Sequence, residues 1–168
     1  QHVPVTEIEP DGSTALHAAA RRHVFEHDSL ERDSLEMVDL LIAAGANVKA
    51  VTRYNITPLS LACGAGNAAV IERLLNAGAD PNSTSEEGQT ALMTAALTGK
   101  VEAVKVLLAR GAKVNVAEPN LGQTALMWAA SEGRTAATQM LIGVNHSTHG
   151  LPAMAKPKTV VPTTPHWP

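Results

Sequence analysis

Between residues 90 and 111 the apolar positions fall into two short runs of different character. Thr90 stands before a run of good helix formers, Ala91 to Leu97, and its hydroxyl is suited to accept hydrogen bonds from the free amides that open that run. Gly99 interrupts it. Val101, Val104, Val106, Leu107 and Leu108 then recur at intervals of three and four, which is the apolar face of a second helix. Gly111 follows the last periodic residue, where glycine adopts a left-handed backbone at little cost, and Lys113 to Gly122 reads as a loop. The pattern predicts helix, turn, helix, loop.

The same template recurs along the chain. Its Thr falls at Thr14, Thr57, Thr90 and Thr124, at spacings of 43, 33 and 34 residues, and the helix-stopping Gly45, Gly78 and Gly111 lie 33 apart. A small pair follows each Thr: Ala19 with Ala20, Ala62 with Cys63, Ala95 with Ala96, Ala129 with Ala130. Bulk there would push neighbouring helices apart. Self-similarity at a fixed period marks an array of stacked units rather than one globular core.

Residues 57 to 59 read Thr, Pro, Leu, and residues 14 to 17 read Thr, Ala, Leu, His; Pro58 suits the first turn of a helix, where its missing amide had no partner. Over residues 11 to about 148 this pattern resembles the ankyrin repeat and its T-P-L-H signature. The resemblance implies an all-α ankyrin-repeat solenoid of stacked helix-turn-helix units. In that family the His usually ties adjacent loops together, whereas Ser60, Met93 and Met127 stand in its place in the later units.

The chain divides into an extended lead-in (1–10), repeat one with a ten-residue insertion (11–52), repeat two (53–84), repeat three (85–117), repeat four (118–146) and a Pro/Thr-rich extended tail (147–168). The insertion falls between Arg22 and Leu35. There the first helix is expected to overrun by a turn or two, and Asp33 with Glu36 reads as a capping pair that starts the second. Asn145 occupies the place of the helix-stopping glycines and is expected to adopt their left-handed conformation. Beyond His146, five prolines predict extended or polyproline backbone; Pro162 and Pro165 satisfy PxxP, a match that any such tail supplies.

Composition narrows the function classes. The chain is 45% hydrophobic but only 2% aromatic, which suits thin layers of Ala, Val and Leu. A net charge of -3 and no long basic run argue against nucleic acid, and no stretch of 18 apolar residues exists to span a membrane. The lone Cys63 sits at a small-residue position and reads as a buried, inert thiol. Neither a Gly-rich phosphate loop, a nucleophile elbow nor a Cys cluster is present, so the chain reads as no enzyme and needs no cofactor. One string, His23 to His27, fits the H-x-x-E-H zinc-peptidase pattern with Glu26 as base. A catalytic site also needs a third ligand and a cleft, so a solvated acidic loop is the better reading. Glycosylation sequons occur at Asn55, Asn82 and Asn145. Gln1 in place of Met fits a processed or partial chain, and a removed secretory signal would leave such an end, which leans towards an extracellular location.

The resemblance implies that a partner would meet the concave face formed by the first helices and the loop tips. Four residues on from each Thr come Ala18, Leu61, Thr94 and Trp128; seven and eight on come Arg21, Arg22, Leu97 and Glu132 among others; Tyr54, Glu86, Glu87 and Leu121 mark the tips. Trp128 is the candidate anchor, because aromatics dominate interface energetics, unless it merely shields the last repeat or lies under the tail. The leading reading is a non-enzymatic module that binds a partner protein. The alternative is a structural subunit that stacks head to tail on copies of itself. Residues 1–39 hold nine acids and three bases, while residues 133–168 hold three bases and no acid. For that assembly the expected contacts are Ala137, Met140 and Leu141 of the uncharged last helix, with Trp167 of the tail.

Overall fold

The computed structural model describes residues 7–21 and 28–148; in helix residues 28–33 and 145–148 it describes the backbone alone. The outer lead-in, the His23–His27 string, Arg22 and the tail with Trp167 lie outside these residues. Among the described residues eight helices follow in pairs: α1 (Ala15–Ala20) with α2 (Asp28–Ala43), α3 (Pro58–Ala65) with α4 (Ala68–Asn76), α5 (Ala91–Thr98) with α6 (Val101–Ala109), and α7 (Ala125–Ser131) with α8 (Thr135–Thr148). Among the described residues no strand forms, only single bridges, Ile8 to Thr14, Thr84 to Thr90 and Ala117 to Thr124, at the necks of three loops.

Three of the four template Thr residues cap as the pattern predicts. Thr57, Thr90 and Thr124 each accept from the amide three residues on, at 3.1, 3.2 and 3.4 Å. Gly78 ends α4 with a φ of +94°: its amide bonds to the Leu75 carbonyl, and that of Ala79 reaches Leu74. This double closure satisfies the last carbonyls of the helix and requires the left-handed residue at its centre.

Packed helix pairs join members of one unit or of consecutive units, first helices on first helices and second on second. Leu59, Ile71, Leu74, Leu92, Val104, Leu107 and Leu141 are fully buried between layers. The small residues Ala19, Ala20, Ala62, Ala95, Ala96 and Ala129 are buried, and Cys63 is sealed beside Ala62, with burial pushing its thiol pKa up. Across the second helices, Arg73 meets Asp39 at 3.6 Å and Arg110 meets Glu72 at 3.3 Å, exposed pairs that add little stability.

Three expectations require correction. In repeat one the first helix does not overrun: it stops at Ala20, and the extra length goes to the second, which starts at Asp28. Asp33 therefore lies inside α2 rather than at its cap, because the helix already runs from Asp28. In repeat four, Asn145 is helical and α8 runs on to Thr148, because nothing at that position prefers the left-handed region strongly enough to stop it. Finally, Ala137 and Leu141 face inward as fully buried core residues, so they are unavailable as assembly contacts; Met140 is half-buried.

Candidate binding face

One side of the stack is made from the first helices and the tips of the loops that precede them. The tips are rigid because each makes its own bonds. In the first unit, His17 does what the resemblance implies: Nδ1 accepts from the Thr14 amide at 3.2 Å, and Nε2 donates to the Ile56 carbonyl of the next loop at 3.0 Å. A carbonyl only accepts, so the proton sits on Nε2. Ser60 turns back on its own cap, with Oγ donating to the Thr57 carbonyl at 2.9 Å, and fully buried Met93 offers its sulfur to the Thr90 amide. The link between later loops is carried instead by two asparagines.

Asn55 Nδ2 donates to the Thr84 carbonyl at 2.6 Å. Its φ of +58° makes it the one non-glycine left-handed residue among those described, two places before Thr57, where the other units have Gly12, Gly88 and Gly122. Asn82 reaches one layer on, giving Nδ2 to the Gly111 carbonyl at 3.1 Å and receiving the Lys113 amide on Oδ1 at 2.8 Å. These two sequon residues thus use their amide nitrogens to tie neighbouring loops. In the fourth loop, buried Glu118 receives the amides of Asn120, Leu121 and Gln123 at 2.6 to 3.1 Å. The bond from Gln123 is the main reason its carboxyl pKa is held below the usual value.

On this scaffold the expected row is present. Ala18 is exposed, and Leu61, Thr94 and Trp128 are half-buried on successive first helices. Arg21 and Glu132 are exposed at the two ends, with half-buried Leu97 between them. Tyr54 at a loop tip is 53% exposed, and the Arg53 guanidinium lies 4.9 Å from its ring centre. Leu121, at the tip two units on, is 78% exposed. The Trp128 indole packs against the core, and Nε1 is buried with no acceptor among the described residues. Trp128 is half-buried, and Tyr54 and Leu121 are the more open side chains.

A cavity of about 710 Å³ opens at the head of this face, between the lead-in and α1, and is lined by Glu7, Glu9, Asp11, His17, Arg21 and Leu61 among others. The Asp11 carboxylate is held there by the Ser13 amide at 2.8 Å, which lowers its pKa. Among the described residues no group of three or more His, Cys, Asp or Glu could hold a metal ion, and no helix is long and apolar enough to cross a membrane.

The family model for ankyrin repeats (3 copies) matches residues 2–85, 27–118 and 67–150 in overlapping windows, while a search of curated proteins finds no match. Ankyrin repeats are in general protein–protein interaction modules and are typically not enzymes. Its capping threonines, its stopping glycines and the layer-by-layer packing agree with that match along almost the whole described length. The chain belongs to the ankyrin-repeat family.

Proposed function

We propose that this chain is a non-enzymatic module that grips a partner protein with the face made by its first helices and loop tips. The observation that carries the reading is a run of apolar surface from unit to unit: Tyr54, Leu61, Leu97, the open part of Trp128, and Leu121. Charge lies beside this run, with Arg53 over the Tyr54 ring, Arg21 at one end, Glu132 at the other and Glu86 and Glu87 beside the tips. Such a surface, apolar in the middle and polar at the rim, matches how protein interfaces are built and offers nothing suited to a phosphate-rich ligand.

Tyr54→Ala and Leu121→Ala, which remove exposed side chains, should each weaken capture of a partner by tenfold or more while leaving the melting curve in place. Trp128→Ala is expected to weaken binding as well, but it also removes core packing, so its stability must be measured beside its affinity. A partner bound equally well by all three folded variants would sink the proposal. The self-assembly alternative keeps the acidic head and the exposed Met37 and Leu40 in its favour, but Ala137 and Leu141 cannot serve it.

A further inference from the structure

Comparing like positions in successive units isolates a surface that the fourth unit leaves uncovered. Leu59 and Cys63 in the second unit, and Leu92, Met93 and Ala96 in the third, are at most 1% exposed because the following layer covers them. Their counterparts in the fourth unit are half-buried Leu126, exposed Ala130 and Met127, the last at 54%. The backbone shows the same gap. A β-carbon added at Gly66 would strike the side chain of Lys100, and one added at Gly99 would strike Arg134, since the third and fourth units each lay a long side chain over the glycine before it. Among the described residues nothing lies within 4 Å of a β-carbon added at Gly133.

Two occupants from this chain compete for that face, the head of a second copy and the chain's own residues 149–168. The head lacks the matching part. Lys100 and Arg134 stand just ahead of their second helices, but the corresponding residue of the first unit, 33 before Asn67, is Ser34, which is buried inside α2. The tail has the right origin: α8 runs back alongside α7, so the chain leaves α8 at the same end of the unit as Leu126 and Met127. Twenty residues of polyproline backbone reach about 60 Å, several times the length of α7. The tail also has the right chemistry. It carries Leu151, Met154, Val160, Val161 and Trp167, and its only charges are Lys156 and Lys158, while all 16 acids of the chain precede residue 133.

We propose that residues 149–168 lie across the outer face of the fourth unit as a strap that covers Leu126, Met127 and Ala130 and closes the stack. The test is methionine oxidation by dilute peroxide, followed by peptide mass spectrometry on the full chain, with Met37 at the opposite end and buried Met93 as internal references. In the wild type, Met127 should oxidise about fivefold or more slowly than Met37, at a ratio independent of protein concentration. In full-length Val160→Asp/Val161→Asp/Trp167→Ala, Met127 should reach the rate of Met37, with Met93 still protected as proof that the fold is intact. Equal rates at Met127 and Met37 in the wild type would overturn the proposal. So would protection of Met127 that survives the triple substitution, or that grows with concentration together with protection of Met37, the sign of head-to-tail stacking.

Discussion

Asn82 gives the sharpest test of how the layers are held together. Replacing it with alanine removes the bond to the Gly111 carbonyl and the bond from the Lys113 amide, while the Asp80 cap on the Asn82 amide survives. A neutral hydrogen bond contributes about 0.5–1.5 kcal/mol net, so two would give about 1–3 kcal/mol. Both bonds lie at exposed positions where water replaces part of what is lost, which places Asn82→Ala near 1–2 kcal/mol. With a urea dependence of about 2 kcal/mol per molar, the unfolding midpoint should fall by about 0.5–1 M. A local readout accompanies the global one: the Lys113 amide loses its acceptor, so its hydrogen exchange should accelerate more than that of amides inside α4. Thr84→Val is the control, since it destroys the sequon at Asn82 while leaving both bonds untouched, and its midpoint should stay within about 0.5 kcal/mol of wild type. An Asn82→Ala midpoint equal to wild type, or one matched by Thr84→Val, would refute the clamp.

Gly78→Val should cost about 2 kcal/mol from backbone strain alone, since among the described residues no atom lies within 4 Å of an added β-carbon, whereas Gly64→Ala inside α3 should be neutral or stabilising; thermal melts of the pair test the sign of each. Glu118 has a pKa depressed by backbone donors, so its contribution is complete at neutral pH and is lost as pH falls through that lowered pKa. Glu118→Gln should therefore be less stable than wild type at pH 7 and converge with it in acid; a gap that persists below the ordinary carboxylate range would contradict this. Cys63 should resist a thiol reagent in the native state and react fully once urea unfolds the chain, measured by absorbance. Chelator should leave the melting curve unchanged, and a large drop would return attention to His23 and His27.

What was legible in the sequence was local. A capping Thr and a stopping Gly act through their own backbone neighbours, so their recurrence placed the helices of the middle units and the sealed Cys63. Boundaries failed where two local signals competed: Asp33 with Glu36 looks like a cap, yet the residues before it continue the helix at no cost. The direction of Ala137 and Leu141 was legible in principle, since they align with buried Ala103 and Leu107 of the third unit; reading the last helix by its lack of charge obscured that register. Asn55 was likewise masked by its sequon, although Gly12, Gly88 and Gly122 at like positions point to a left-handed residue. That the Trp128 indole turns its N–H inward depends on packing between layers, which no repeat pattern encodes.

The side-chain fastenings between loops join residues far apart in the chain: His17 needs Ile56, Asn55 needs Thr84, and Asn82 needs Gly111, partners 29 to 39 residues ahead. During synthesis, then, each of these fastenings closes only when a partner 29 to 39 residues later has been added, a delay of about 1–8 s at about 5–20 residues per second. Throughout translation the newest layer carries an open apolar face, and the growing end of the stack is the part of the nascent chain that a chaperone would meet.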